Sequence, residues 1–418
     1  MQFRATLILI LCTFLLPGFA LSQAQGCDGE RYRTSVFSDV EVTTAIKFGE
    51  NTTIGGNLQD LYMDVYEPAN DNLQARPAVV LAFGGGFVAG EREDLDGVCR
   101  ALALKGYVAA TIDYRLFDLL FPIDSNQMTD VVVKAVGDMK AAIRYLRQDA
   151  ATDNQFRIDT NFVIVGGISA GAITAAHTAY LDIDDELPSD IVAAINNNGG
   201  IEGNSSSNYQ YSSSAQGVIN YSGALKFAGM IDENDPPLLS VHDDGDTVVP
   251  YGNGVVPAGP IVVLYLEGSQ TMHAQAESVG VVNELFTIEN SNGHVSYFLN
   301  NANQYEAEVE ARTASFIADI VCGPLSSNRP ELSAPFAASF YPNPVQDRLN
   351  IQFDNTPETY SLHIYDNTGK MVAEQHGLQD QQLSVELGHL QNGLYTVQVT
   401  FARSPYAPLW HKLIVNKG

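Results

Sequence analysis

A hydroxyl, a carboxyl group and an imidazole stand far apart in this chain, each in a setting that suits chemistry. Ser169 lies in the run GGISAG (Gly166–Gly171), between the apolar stretch NFVIV and the helix-like AITAAHTAYL. A Gly-x-Ser-x-Gly corner between a strand and a helix lifts the hydroxyl above a sheet, and only small neighbours fit so tight a turn. The following helix would aim its N-terminus at negative charge developing beside the serine. A plain tight turn reads the same letters with no chemistry. A serine hydroxyl is a weak nucleophile until a base takes its proton, so the reactive reading requires an imidazole and a carboxylate further on.

Both are present, acid before base. PPLLSVHDDGDTVVPY supplies an apolar strand followed by a loop with Asp243, Asp244 and Asp246. Asp246 is far enough past the strand to turn inward; Asp243 and Asp244 compete with it. NSNGHVSYF places His294 on a glycine-containing loop before the last helix. His273 is its rival, in helix-like surroundings, whereas His177 inside a helix and His242 inside a strand read as packed residues. The fourth requirement is a set of donors for an oxyanion. LAFGGGFVAG follows an early strand, and Gly84, Gly85 and Gly86 let backbone N–H groups approach a substrate oxygen. Any one of these features is common; all four in this order are not.

The elements that must hold these residues alternate. LYMDVYEP, ARPAVVLAF, YVAATIDYRL, NFVIVGG, GVINYSGA, PPLLSVHD and PIVVLYLEG read as strands. DVVVKAVGDMKAAIRYLRQDA, AITAAHTAYL and NQYEAEVEARTASFIADIV read as helices. Apolar strands alternating with helices predict an α/β fold, a mostly parallel sheet covered on both faces, over residues 25–323. GPLSSNRPELSAP then lacks periodicity, and residues 324–335 are assigned as a linker. Beyond it, short alternating strands with turn signals predict a small all-β sandwich over 336–418, with a hairpin turn at Asp366-Asn367-Thr368-Gly369.

The first 24 residues have the charge, apolar centre and small-residue ending of an export signal. With 49 acidic against 22 basic residues and a net charge of -27, the chain repels phosphate backbones, and no nucleic-acid partner is expected. Export permits a disulfide. Cys27 and Cys322 sit at the two ends of the α/β region and form the favoured pair, with Cys99 able to join either instead; no short ligand spacing points to a metal. The loop LFDLLFPIDSNQM offers Phe117, Leu120 and Phe121, and GGGFVAG offers Phe87, as walls of a substrate pocket. GNSSSNYQYSSSAQG has the polar, tyrosine-bearing character of a sugar-contacting loop or of a solvated connection.

Taken together, FGGGFVAG, YVAATIDYRL, GGISAGA, HDDGDTVVPY and NGHVSYF resemble an α/β-hydrolase of the serine carboxylesterase type, near the hormone-sensitive-lipase-like and feruloyl-esterase-like groups. The resemblance implies Ser169 as nucleophile, Asp246 as acid and His294 as base, with an oxyanion hole from the N–H groups of Gly85, Gly86 and Ala170 and no cofactor. These families usually open the glycine run with histidine, and Phe83 stands there instead. FYPNPVQDRLNI, IYDNTGKMV, LQNGLYTVQV and KLIVNK resemble the sorting domain of the Bacteroidetes type IX secretion route, which implies that machinery as a partner and a secreted or surface-attached product. The expected activity is hydrolysis of esters, including polymeric plant cell-wall acyl esters or polyesters. A secreted serine peptidase and an inactive binding protein on the same scaffold are the competing readings, and the oligomeric state is left open.

Overall fold

The computed structural model describes residues 23–120, 123–258, 262–299, 305–323, 338–353, 356–357, 359–366, 371–401 and 409–417. The export signal up to residue 22, Phe121, the linker and the Asn367–Gly369 turn lie outside them. The chain divides into two compact units, Met1–Pro324 and Leu325–Gly418.

In the first unit the strands are β1 (Val40–Thr52), β2 (Leu58–Pro68), β3 (Arg76–Ala82), β4 (Val108–Ile112), β5 (Ile158–Ile168), β6 (Gly217–Tyr221), β7 (Ala224–Leu225), β8 (Leu238–Asp243), β9 (Asn253–Ala258), β10 (Val262–Gly268) and β11 (Asn283–Ile288). The helices are α1 (Asp96–Leu104), α2 (Ser125–Ala151), α3 (Ala170–Tyr180), α4 (Ser189–Asn197), α5 (Ser269–Val279), α6 (Ser296–Leu299) and α7 (Glu306–Cys322). The main sheet runs β1-β2-β4-β3-β5-β6-β8-β11. From β4 to β11 neighbouring strands are parallel, and β2 and β1 close one edge antiparallel. This is an α/β-hydrolase fold. Strands β3 and β4 are buried throughout, as strands covered on both faces must be.

Two elements depart from the expected order. Within PIVVLYLEG, VVLYLEG is a strand, β10, but it pairs antiparallel with β9 and β7 in a separate small sheet. The parallel edge strand is instead β11, NELFTI, whose charged and half-buried residues carry little strand signal. β11 matters because the His294 loop leaves its end. The carboxyl ends of β3, β5, β8 and β11 thus gather the glycine run, Ser169, the aspartate loop and His294 at one edge of the sheet, where open α/β folds bind their ligands.

The second unit contains β12 (Ala338–Tyr341), β13 (Arg348–Phe353), β14 (Tyr360–Tyr365), β15 (Met371–Leu378), β16 (Gln382–Glu386), β17 (Gly393–Phe401) and β18 (Leu409–Val415). They form antiparallel sheets β12-β13-β16 and β15-β14-β17-β18. Alternate residues, such as Leu349, Ile351 and Phe353 of β13 and Tyr360, Leu362 and Ile364 of β14, meet in one apolar core. The period-two pattern follows from side chains alternating across a strand.

Candidate active site

Ser169 sits at φ 55°, ψ -117°, a left-handed conformation between β5 and α3 that a non-glycine residue holds only under constraint. The constraint is the packing of two glycines. A Cβ on Gly167 would lie 2.5 Å from the Ala82 carbonyl oxygen, and one on Gly171 only 2.0 Å from the same atom. Their small size lets the turn press against the end of β3, and the Ser169 N–H is tied to the Tyr221 carbonyl at 2.8 Å. The hydroxyl remains reachable in a residue that is 7% exposed.

His294 Nε2 lies 2.8 Å from Ser169 Oγ, and its Nδ1 lies 2.7 Å from Asp246 Oδ2. The three aspartates of the loop divide their work. Asp244 accepts from the N–H groups of Asn290 and Ser291, ahead of the histidine. Asp243 accepts from the N–H and hydroxyl of Ser296, behind it. Asp246 alone reaches the imidazole. Its side chain is fully buried, and burial by itself would raise the carboxyl pKa; hydrogen bonds from His242, His294 and the Val248 N–H win and hold it well below the ordinary carboxylate range. Val295, beside His294, has φ 55°, an outlier for a β-branched residue, and with Ser169 it concentrates backbone strain at this place.

His242, read from sequence as a packed residue, is packed but also touches Asp246. Its Nε2 lies 3.1 Å from the Val249 carbonyl and 3.3 Å from Asp246 Oδ2. Its Nδ1 meets Ser269 Oγ at 2.7 Å, and Asn220 Nδ2 donates to Ser269 and Ser240. The strand position of His242 hid this contact, because Asp246 turns back over the strand end four residues later. His273, the rival for the imidazole, lies on α5 with Glu277 Oε1 3.5 Å from its Nε2.

Gly86 and Ala170 line a cavity together with Ser169, and neither Gly85 nor Gly86 donates a backbone hydrogen bond among the described residues. Ala170 opens α3, where the first N–H groups have no partner within the helix. Gly85, at φ +117°, turns its carbonyl to the N–H groups of Val88 and Ala89, and a Cβ there would strike the Ala89 carbonyl oxygen at 2.1 Å. Phe83, where the resemblance expects histidine, is held by Tyr114. Its ring stacks on Tyr114 at 4.3 Å, and the Tyr114 hydroxyl donates to the Phe83 carbonyl at 2.9 Å.

The cavity holds about 190 Å³, somewhat more than one known to accommodate benzene. Phe87 lines it, whereas Phe117 and Leu120, the other described residues expected as walls, are not among its lining residues. Phe117 is buried behind Phe87, its N–H bonded to the Phe87 carbonyl, and Leu120 points to solvent at 93% exposure. The walls come instead from Val132 and Val136 of α2, Ile173 of α3, Ile191 and Ile195 of α4 and Leu264 of β10. His177 also faces it. Its Nδ1–H donates to the Ile173 carbonyl and its Nε2 accepts from the Lys226 N–H, while burial pushes its pKa down to about 4, so it is a neutral wall residue.

Cys27 and Cys322 are disulfide-bonded, and Cys99 is a buried free thiol whose pKa burial pushes upward. His363, Glu374 and His376 of the second unit bring ligand atoms within 4.8 Å of one another and are the group with metal-binding character among the described residues. No described helix is long and apolar enough to cross a membrane.

Residues 63–230 match the family BD-FAE, and residues 339–416 match the secretion system C-terminal sorting domain. The second match gives the protein a secreted or cell-surface destination. A curated relative, the fumonisin B1 esterase of Sphingopyxis macrogoltabida, is 33% identical over 131 residues, which are 29% of this chain and 23% of that protein, so the alignment spans under a quarter of the relative. Similar solved structures include Thermogutta terrifontis esterase 2 with propionate bound, at 22% identity and TM-score 0.48 over 69% of this chain and 96% of that one. Another is a truncated carbohydrate esterase from gut microbiota, at 16% identity and TM-score 0.47 over 69% and 98%.

Proposed function

From a chain that joins a BD-FAE domain to a sorting domain, we propose a secreted serine esterase that hydrolyses carboxylic esters through an acyl-enzyme. The observation that carries this reading is the continuous relay of hydrogen bonds from Ser169 Oγ through His294 to the buried Asp246, opening on an apolar cavity. Ser169 Oγ attacks the ester carbonyl carbon as His294 Nε2 takes its proton, and Asp246 steadies the resulting imidazolium. The tetrahedral oxyanion turns toward the N–H groups of Gly85, Gly86 and Ala170. The carbon–oxygen bond to the alcohol breaks, the alcohol leaving with the proton from His294. Water, deprotonated by the same imidazole, then attacks the acyl-serine, and the acid departs as Ser169 regains its proton.

The apolar walls favour an acyl group of aliphatic or single-ring size, which includes the acyl decorations of plant cell-wall polymers and polyester segments. The sorting domain fits enzymes that meet such material outside the cell through the type IX machinery. The test compares wild type with Ser169→Ala on p-nitrophenyl butyrate, then on acetyl- and feruloyl-xylan and a polyester film. Loss of about a millionfold in turnover is expected for the variant. Wild type that ignores every ester yet cuts a peptide would overturn the proposal.

A further inference from the structure

A second cavity, of about 590 Å³ and polar, lies beside the middle of α2 and the C-terminal end of α3, beneath the serine- and tyrosine-rich segment 203–217. Three cations on one stripe of α2 face that segment. Arg144 donates to the Glu202 carbonyl and carboxylate and to Ser206 Oγ; Arg147 donates to the carbonyls of Ser212 and Thr160. Lys140, one turn before Arg144, lines the cavity, is only 4% exposed, and among the described residues has no hydrogen bond or ion pair. Burial lowers its pKa, against the pull of Glu202 and Asp182. The stem is buried while the ammonium opens on the cavity, so a ligand acceptor placed there would take over from water.

The other walls say which acceptor. Asp182 and Asp235 line the same cavity, and burial together with the neighbouring carboxylates raises the Asp235 pKa to about 6. An anion that suited Lys140 would meet these carboxylates and a chain of net charge -27. A cation that suited them would leave Lys140 unmatched. Hydroxyl groups suit both, since each donates to a carboxylate and accepts from an ammonium. Tyr209 adds an apolar platform: the Arg144 guanidinium lies 5.0 Å from its ring, its hydroxyl is fixed on the Gly203 carbonyl, and the residue is 52% exposed.

We propose that this cavity is a binding subsite for a neutral oligosaccharide, with Lys140, Asp182 and Asp235 engaging hydroxyls and Tyr209 carrying a sugar face. Leu181 walls both cavities, and the twelve helical steps from Ser169 to Leu181 span about 18 Å. A polysaccharide anchored here leaves the nucleophile unobstructed and raises the effective concentration of its ester groups. The subsite does not depend on the esterase reading, because sugar binding and ester turnover are measured separately.

The experiment is calorimetric titration of the full chain with xylohexaose, cellohexaose and mannohexaose, alongside turnover of p-nitrophenyl butyrate. At least one hexasaccharide is expected to bind, with Tyr209→Ala and Lys140→Met each weakening it about tenfold or more and butyrate turnover staying within about twofold. If Lys140→Met also loses butyrate turnover, it has misfolded, and the surface variant Tyr209→Ala decides. No binding of any of the three sugars, or binding that Tyr209→Ala leaves intact, overturns the subsite. Wild type that binds sugar but hydrolyses no ester would instead overturn only the proposed activity.

Discussion

Helices α2 and α3 border two cavities and give them opposite characters. Toward Ser169 they present Val132, Val136 and Ile173; about one to two turns further on they present Lys140, Thr178 and the approach to Asp182. The apolar end surrounds the atoms proposed to react, where exclusion of water strengthens every charge interaction in the relay. The polar end keeps a buried cation facing solvent-accessible space. One pair of helices therefore separates a place suited to chemistry from a place suited to holding, and each end can be disturbed alone.

The sharpest break of that comparison is Ser169→Ala, with its expected millionfold loss and an unaltered polar cavity. Asp246→Asn should follow, with a loss of about 10⁴ in kcat, since an amide at that position favours the wrong imidazole tautomer; a loss below tenfold would return the acid role to Asp243 or Asp244. The apolar wall also carries a pH signature. The His177 pKa of about 4 in the folded protein lies below its ordinary 6.5, so the unfolded chain binds the extra proton first. Its contribution is complete above pH 6.5 and fades as pH falls toward 4, by roughly 3 kcal/mol in all. Denaturant titrations of wild type and His177→Gln across that window should differ in slope, and parallel curves would mean the imidazole is not held neutral.

Smaller effects test finer points. Val136→Phe should fill part of the apolar cavity and shift the preference between hexanoate and acetate esters by about tenfold toward acetate; an unchanged ratio would place the acyl group elsewhere. His242→Phe should lower kcat several-fold, about 1 kcal/mol, with KM unchanged, because Asp246 keeps its other donors but loses one neighbour. A KM effect alone would assign His242 to packing.

The parts of the site that could be read in advance are those dictated by local sterics. Gly167 and Gly171 are required by the approach to Ala82, so the elbow is written into five letters. The roles of Phe83 and His242 were not legible, since each depends on a partner, Tyr114 or Asp246, whose position is settled by how strands end and loops return. Phe117 and Leu120 illustrate the same limit: an apolar run after a strand predicts burial somewhere but not which cavity it borders, and Leu120 ended in solvent.

From sequence alone came the order of strand, glycine run, serine corner, acid loop and histidine loop, together with the change of pattern that separates the two units. These rest on periodicity and on backbone conformations that few residues tolerate, which are local properties. Tertiary structure alone decided what Asp243 and Asp244 bind, which helices wall the apolar cavity, and that Lys140 opens on a polar one. Those are outcomes of packing between segments distant in the chain, where a side chain's neighbours depend on the approach of whole elements rather than on its own few flanking residues.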